Sequence, residues 1–256
     1  ARNLDLAPSS VHLVVTSPPY GNLKHYSDSP AEIGWGQEYT AYLESISVVL
    51  TKCYDALHPG CRMAINVGDQ YLRASEYGRY RILPIPADLI RIGMGIGMDY
   101  MGGIIWRKIS TTNTSGGGSW MGSTYWPRDG HITYEHEHIL LFKKLGKAPT
   151  PTKEAKDLSE LTKDQRSRWF RGIWDDIHPT TQKDHPAAFP VELPDRLIRM
   201  YSFWGETVLD PFLGSGTTAV AANAAGRDCV GCELNPDFVP TIKDRVATVG
   251  GTIFDV

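Results

Sequence analysis

A short stretch near the C-terminus constrains the fold more than any other part of this sequence. Residues 207–210 read as a strand, Gly214-Ser215-Gly216 follow it, and residues 217–225 form an alanine-rich helical run. A second strand pattern covers residues 228–233, and a strand, a helix and a strand in this order predict a parallel βαβ unit. The glycines let the backbone approach a ligand closely, and the helix N-terminus offers N–H groups to it.

The acid that ends this unit indicates the kind of ligand. Glu233 comes 17 residues after Gly216, at the end of the second strand, where a carboxylate can accept a hydrogen bond from a ribose hydroxyl. No Gly-Lys-Ser/Thr follows the glycines, which excludes a Walker phosphate loop. The unit therefore predicts a site for a nucleoside-containing cofactor, although the glycines alone would also fit a tight packing turn.

The remaining periodic segments extend this alternation of strands and helices. Strands are predicted at residues 11–16, 61–69, 100–106 and 138–142, and helices at residues 38–57, 84–96 and 191–203. This order predicts an α/β protein with a mainly parallel twisted sheet. Residues 107–130 are rich in Gly, Ser and Thr and show no period, which indicates a long loop that is functional or disordered.

A second motif, Ser17-Pro18-Pro19-Tyr20, follows the first predicted strand directly. Open α/β sheets bind ligands at the carboxyl ends of their strands, which is where this motif falls. Two consecutive prolines remove two backbone donors and fix φ, so the motif presents carbonyl acceptors suited to an amino group. Ser17 adds a further acceptor, and Tyr20 adds a flat face for a planar ring. The alternative interpretation is a proline-stiffened strand exit with a core tyrosine.

Composition limits the class of protein. The 256 residues carry 26 basic and 29 acidic side chains, and no apolar run approaches the roughly 18 residues that a membrane span needs. The four cysteines are too few for a disulfide scaffold, so we expect an intracellular chain without membrane contact. Residues 143–171 hold nine basic groups against four acidic ones, which fits a polyanion-binding patch or a solvated face. His136 and His138 share one strand face, but no third ligand is evident, and we expect no metal.

Three motifs and their order resemble one family, the amino-group DNA methyltransferases that use S-adenosylmethionine. "TSPPY" resembles the catalytic motif of that family, "DPFLGSGTT" its cofactor motif, and "HPAAFP" the segment that helps to wall the cofactor site. The catalytic motif comes first and the cofactor motif last, as in the β-type permutation of the family. The resemblance extends over residues 11–246 and implies a Rossmann-like methyltransferase fold with an irregular target-recognition insertion.

The resemblance implies a role for individual residues. The catalytic residues Ser17, Pro18, Pro19 and Tyr20 would grip a base that has been swung out of double-stranded DNA. S-adenosylmethionine contacts, including a ribose contact from Glu233, are expected at Thr16, Asp69, His185, Ala188, Phe189, Pro190, Asp210, Phe212, Gly214, Ser215, Gly216, Thr217, Glu233 and Asn235. DNA contacts are expected at Lys24, Tyr26, Arg107, Trp120, Trp126, Arg166, Arg168 and Arg171.

The resemblance also divides the chain. Residues 1–106 would form the catalytic half, residues 107–184 a DNA-binding insertion that includes the strand near residues 138–142, and residues 185–256 the cofactor half. Such enzymes usually have a longer stretch before the catalytic strand than the ten residues found here, so an additional N-terminal segment or further domains stay open. A companion restriction endonuclease is an expectation from the family.

The identity of the acceptor amine rests on one residue. In the family, Ser at the first position of the four-residue motif is commonest among cytosine N4 enzymes, so Ser17 favours cytosine N4. Adenine N6 is the alternative, because some adenine enzymes also carry "TSPPY". Carbon-5 methylation needs a Pro-Cys dipeptide that the chain lacks. The enzymes that methylate a protein glutamine carry a motif that resembles "NPPY" and have their cofactor glycines before it. Ser17 and the motif order of this chain therefore oppose that function. A non-catalytic module that binds DNA or cofactor stays open.

Overall fold

The computed structural model describes residues 1–20, 29, 31–72, 74–108, 128, 135–178 and 189–252. The strands within these ranges are β1 Val11–Thr16, β2 Leu57–Val67, β3 Gln70–Leu72, β4 Arg81–Leu83, β5 Met98–Arg107, β6 His136–Lys144, β7 Ile173–Trp174, β8 Thr207–Asp210 and β9 Asp228–Gly231. The helices are α1 Tyr39–Ala56, α2 Ala74–Tyr77, α3 Ile85–Gly95, α4 Lys153–Asp157, α5 Lys163–Trp169, α6 Glu192–Tyr201, α7 Thr217–Ala224 and α8 Phe238–Ala247. Within the described ranges, none of the helices combines the length and the apolar character needed to span a membrane.

One large sheet organises this part of the chain. Its seven strands lie in the order β7-β5-β6-β2-β1-β8-β9. β6 runs antiparallel to both of its neighbours, whereas the other neighbouring pairs are parallel. The predicted α/β fold with a mainly parallel sheet is therefore confirmed. Because β1 lies between β2 and β8, the carboxyl ends of these three strands meet at the same edge of the sheet.

Helices cover both faces of the sheet. Val14 of β1 faces a core layer that includes residues of α1 and α3, whereas Leu13 and Val15 face a layer that includes residues of α6 and α7. All three side chains are almost completely buried. A strand that is covered on both faces needs apolar residues at successive positions. This explains why apolar residues follow one another without a break at residues 13–15 of β1.

The structure differs from the sequence prediction mainly at strand ends and in short elements. β2 begins at Leu57, directly after α1 and four residues earlier than predicted, and Gly60 within it takes a positive φ of +78° where the backbone of Ala148 approaches closely. A side chain at Gly60 would collide with the backbone nitrogen of Ala148. The β3–β4 hairpin, β7, α2, α4, α5 and α8 are not predicted by the sequence pattern, since most of them are too short to show a period.

The contact between α3 and β6 tests this packing. A Cβ added at Gly93 would lie 2.5 Å from Cε1 of Phe142, so Gly93→Ala forces the ring or the helix to move. We expect Gly93→Ala to lower the free energy of unfolding by about 1–3 kcal/mol in urea titrations. Gly95→Ala on the same helix is the control, because a Cβ there meets no atom within 4 Å. It should be neutral or stabilising by about 0.5–1 kcal/mol, and equal effects of the two variants would contradict the packing described.

Candidate active site

A cavity of about 640 Å³ opens at the carboxyl ends of the central strands. Open α/β sheets place their ligand sites at this edge. Residues from both sequence motifs line the cavity: Ser17, Pro18, Pro19 and Tyr20 from the first, and Pro211, Phe212, Leu213, Gly214, Ser215 and Thr217 from the second. Two motifs that are nearly 200 residues apart therefore share one cavity.

The first motif is held from behind by α1. Tyr42 is 1% exposed, and its hydroxyl donates a hydrogen bond of 2.7 Å to the carbonyl oxygen of Pro19. The Ser17 hydroxyl and the Tyr20 hydroxyl lie 3.4 Å apart, so the two polar tips of the motif contact each other. The Pro19 carbonyl oxygen already accepts the hydrogen bond from Tyr42. The Pro18 carbonyl and the Ser17 hydroxyl are therefore the candidate acceptors for a ligand.

A buried carboxylate connects the two motifs. Asp210, at the end of β8, accepts hydrogen bonds from Thr16 Oγ1 at 2.7 Å, from Thr218 Oγ1 at 2.6 Å and from the Phe212 backbone N–H at 3.0 Å. Burial raises the pKa of Asp210 to about 6, although these three donors act in the opposite direction. Asp210 thus joins β1, the loop after β8 and α7 behind the cavity wall.

The glycine loop is fixed by a helix that the sequence pattern does not predict. Gly216 precedes α7 with a φ of +83°, in the left-handed region that favours glycine. Arg245 of α8 donates hydrogen bonds to the Ser215 carbonyl at 2.8 Å and to the Ser215 hydroxyl at 2.7 Å. It also reaches Thr217 Oγ1 at 3.3 Å. The guanidinium therefore sets the position of the loop that leads into α7.

Glu233 stands in the cavity wall with both carboxylate oxygens oriented by backbone. Its Oε2 accepts a hydrogen bond of 2.8 Å from the Gly214 N–H, and its Oε1 accepts one of 2.8 Å from the Asn235 N–H. Each oxygen keeps further acceptor capacity for a ligand hydroxyl. Apolar and aromatic side chains beside it, Phe189, Phe212, Leu234 and Phe238, offer surfaces for a planar ring. The predicted site for a nucleoside has a structural counterpart here.

Sequence comparison matches residues 11–244 to the DNA methylase family N6_N4_Mtase. The chain belongs to this DNA methylase family. It is 33% identical to the Type II methyltransferase M.MthZI of Methanothermobacter thermautotrophicus, over 94% of this chain and 73% of that protein. It is also 33% identical to M.MjaI of Methanocaldococcus jannaschii, over 96% of this chain and 88% of that protein.

A solved structure supports the same assignment. The Thermus thermophilus protein TTHA0409, in complex with S-adenosyl-L-methionine, is 37% identical to this methylase. The match covers 95% of this chain and 88% of that chain, with a TM-score of 0.78. The Rossmann-like methyltransferase fold expected from the sequence is confirmed.

Several expected cofactor contacts of the methylase lie beside the cavity rather than in its wall. Thr16 and Asp210 bond to each other behind the wall, and Pro190, Gly216 and Asn235 do not line it. His185 and Ala188 lie outside the described residues. Of the "HPAAFP" segment, Phe189 does line the cavity. The cofactor motif therefore divides into residues that can touch a ligand and residues that hold those in place.

Asp69 lies beyond the end of the strand on which the sequence pattern placed it. The chain leaves β2 after Val67, so Asp69 no longer follows the strand alternation and does not line the cavity. Burial raises the pKa of Asp69, and the nearby imidazoles of His138 and His136 partly offset this. Asn66, three residues earlier, lines the cavity in its place.

The basic residues of 143–171 do not line the cavity, and Arg166, Arg168 and Arg171 are exposed. Arg168 forms ion pairs with Asp164 at 3.4 Å and with Asp176 at 2.9 Å. The Arg166 guanidinium lies 5.7 Å from the centre of the Phe170 ring, and that ring contacts Tyr201 at the end of α6. Arg166, Arg168 and Arg171 do not line the cavity, and their expected contacts with DNA stay a prediction. Lys24, Tyr26, Trp120 and Trp126 lie outside the described residues.

Four residues that the sequence motifs did not indicate line the cavity near Tyr20, whereas Arg107 does not line it. Arg107 ends β5, is half exposed and forms an ion pair with Glu135 at 3.6 Å. The four residues that line the cavity are Asn66, Trp106, Lys108 and Glu137. The sequence does contain a signal for Glu137. It lies between His136 and His138 on one strand, so its side chain faces the side of the sheet opposite to the two imidazoles. No three His, Cys, Asp or Glu side chains of the described residues are grouped to hold a metal.

The raised pKa of Asp210 gives a pH-dependent test. The folded protein holds the Asp210 proton more tightly than the unfolded chain, so the stability that protonation contributes is lost as pH rises from the ordinary value of 3.8 through about 6. Asp210→Asn has no such titration. The quantity to measure is the difference in unfolding free energy between wild type and Asp210→Asn, from urea titrations at each pH. We expect the wild-type value, relative to that of the variant, to fall by up to about 3 kcal/mol between pH 4 and pH 7. A difference that does not change with pH would contradict this account.

Proposed function

We propose that this methylase transfers a methyl group from S-adenosylmethionine to the exocyclic N4 amine of a cytosine flipped out of double-stranded DNA at a specific site. The observation that carries the proposal is the single cavity shared by the Ser17–Tyr20 motif and by the glycine loop with Glu233. A methyl donor held by one wall and an amine held by the other would meet inside it. Membership in the DNA methylase family supports the reaction class.

The cofactor half of the cavity fits S-adenosylmethionine in its donor set. Glu233 would accept hydrogen bonds from the ribose hydroxyls, since backbone N–H groups already fix both of its oxygens. Gly214, Ser215 and Thr217 approach the ligand at the beginning of α7, and Phe189 and Phe238 would border the adenine ring. S-adenosylmethionine supplies a methyl group that its sulfonium already activates. The S-adenosyl-L-methionine complex of TTHA0409 supports this choice of cofactor.

The base half of the cavity presents acceptors and an aromatic face. The Ser17 hydroxyl and the Pro18 carbonyl would accept hydrogens from the amine, and the Tyr20 ring would stack on the base. An exocyclic amine conjugated to its ring is a poor nucleophile, and accepting its hydrogens favours the geometry in which nitrogen electron density points at the methyl group. Holding the two reactants in line then contributes much of the rate, and no covalent enzyme intermediate is needed.

The choice of base and the DNA contacts complete the proposal. Ser17 favours cytosine N4, and adenine N6 would use the same acceptors. Flipping the base out of the duplex costs about a few kcal/mol, which contacts to the DNA backbone must offset. Lys108 lines the cavity, Arg107 precedes it at the end of β5, and these two residues are our candidates for phosphate contacts.

The product of the reaction tests the proposal as a whole. The purified protein is incubated with S-adenosylmethionine and unmethylated genomic DNA, and the nucleosides are identified by mass spectrometry. We expect 4-methylcytosine. Formation of 6-methyladenine would keep the mechanism and overturn the argument from Ser17. Measurable cofactor binding without any methylated base would favour a non-catalytic module.

Replacing Tyr20 separates the two halves of the cavity. Tyr20→Ala removes the stacking face, so we expect methyl transfer to fall by about 10- to 100-fold while the Kd for S-adenosylmethionine in calorimetric titrations changes less than about twofold. Tyr80→Ala is the control, because it removes an exposed tyrosine ring away from the cavity. Full activity of Tyr20→Ala would show that the base-gripping site has been assigned wrongly.

A further inference from the structure

A buried carboxylate stands beside the base-gripping motif and is not used in the reaction proposed above. Glu137 of β6 is 7% exposed and lines the cavity. Its Oε1 accepts a hydrogen bond from Lys108 Nζ at 2.5 Å, and its Oε2 accepts one from Asn66 Nδ2 at 2.6 Å. The half-exposed Lys108 supplies the opposite charge that a buried carboxylate requires. Glu137 therefore has one partner on each oxygen.

This arrangement determines which way the Asn66 amide faces. An ionised carboxylate can only accept hydrogen bonds, so the NH₂ group of Asn66 must turn towards Glu137. The same Nδ2 lies 3.4 Å from the Tyr20 hydroxyl, which connects the amide to the base-gripping motif. Asn66 is 3% exposed, and its orientation is set by the carboxylate rather than by solvent.

The other end of the amide is an acceptor without a hydrogen bond. Asn66 Oδ1 is buried and accepts none within the part of the chain that the structure describes. Buried polar atoms in folded proteins nearly always have a partner, and an exception needs an explanation. Asn66 lines the cavity next to Tyr20, so a ligand there is the nearest candidate donor, which a small shift of the buried Oδ1 would bring into contact.

We propose that Asn66 Oδ1 accepts a hydrogen from the exocyclic amine of the target base, and that Glu137 is the positioning residue that keeps this oxygen turned towards the base. The inference rests on the proposed function. The Pro18 carbonyl oxygen and Asn66 Oδ1 can accept hydrogen bonds but cannot donate them. These two acceptors match the two hydrogens of the amine. The Ser17 hydroxyl, which the proposed function uses as an acceptor, would then donate to the neighbouring ring nitrogen instead.

This assignment gives the site a means of choosing bases. A carbonyl in place of the amine, as in uracil or thymine, would meet two fixed acceptors and leave them unpaired. Sites that hydrogen-bond a substrate group strongly reject analogues that lack it. Glu137 therefore contributes to substrate specificity by fixing a neighbouring amide, without itself touching the base.

Exchanging donor and acceptor across the contact between Glu137 and Asn66 tests the proposal. In Glu137→Gln, the new amide oxygen can accept from Lys108, so its NH₂ group faces Asn66 and forces the Asn66 amide to turn over. The base then meets a donor in place of an acceptor. We expect the rate of tritium transfer from labelled S-adenosylmethionine to saturating unmethylated genomic DNA to fall by about 10- to 100-fold. The Kd for S-adenosylmethionine should stay within about twofold.

A second substitution should restore the rate. In the double variant Glu137→Gln/Asn66→Asp, the Gln NH₂ donates to one Asp oxygen, and the other oxygen is again an acceptor for the base. We expect the double variant to be at least about tenfold faster than Glu137→Gln. Asn66→Asp alone should be slow, because it sets two carboxylates against each other. Glu44→Gln is the control for charge, since it removes an exposed carboxylate of α1 away from the cavity and should stay within about twofold of wild type.

The outcomes separate the inference from the function on which it rests. A purely structural role for Glu137 would not be rescued by a second change at Asn66. Wild-type activity in Glu137→Gln, or a double variant no faster than Glu137→Gln, would overturn the inference while leaving the methyltransferase function intact. A wild-type protein that methylates no DNA base would overturn the proposed function and this inference with it.

Discussion

The three hydrogen bonds received by the Asp210 carboxylate are the interaction on which the site depends. They come from Thr16 at the end of β1, from Phe212 in the following loop and from Thr218 in α7. The residues that carry the base-gripping motif and the residues that carry the glycine loop are thereby fixed to one buried group. Burying that carboxylate is unfavourable, as its raised pKa shows, and the three donors offset part of the cost. Both walls of the cavity keep their relative position for this reason.

A parallel sheet makes such a connection possible between distant parts of the sequence. Thr16 and Asp210 are 194 residues apart in the chain, yet β1 and β8 are neighbouring parallel strands whose carboxyl ends coincide. Because all loops at that edge face the same cavity, the order of the motifs along the chain matters little for the geometry of the site. A methyltransferase with its catalytic motif first and its cofactor motif last can therefore form the same kind of cavity as one with the reverse order.

The sequence allowed six of the seven strands of the large sheet, the helices α1, α3, α6 and α7 and both motifs to be predicted, because each depends on local composition and spacing. It did not reveal Arg245 on α8 or the contacts between Asn66, Glu137 and Lys108, since these pairs form only when separate elements pack. Asp69 was expected at the end of its strand, but β2 ends at Val67, because a local apolar pattern does not show where hydrogen bonding to the neighbouring strand stops. The positive charge of residues 143–171 predicts DNA contacts, which stay a prediction, and the structure adds that Arg168 pairs with Asp164 and Asp176 while the Arg166 guanidinium lies near the Phe170 ring. Charge in a sequence does not show which charges have partners in the fold.

The central claim is that the methyl donor and the target amine meet in one cavity, between the Ser17–Tyr20 motif and Glu233. The most direct measurement is a crystal structure of the protein with S-adenosylhomocysteine and a duplex that carries the sequence it methylates. The account predicts the ribose on Glu233, the flipped base on Tyr20, and the sulfur and the exocyclic nitrogen on either side of the space that the methyl group occupies during transfer. A base that stays stacked in the duplex, or a cofactor bound away from Glu233, would contradict it.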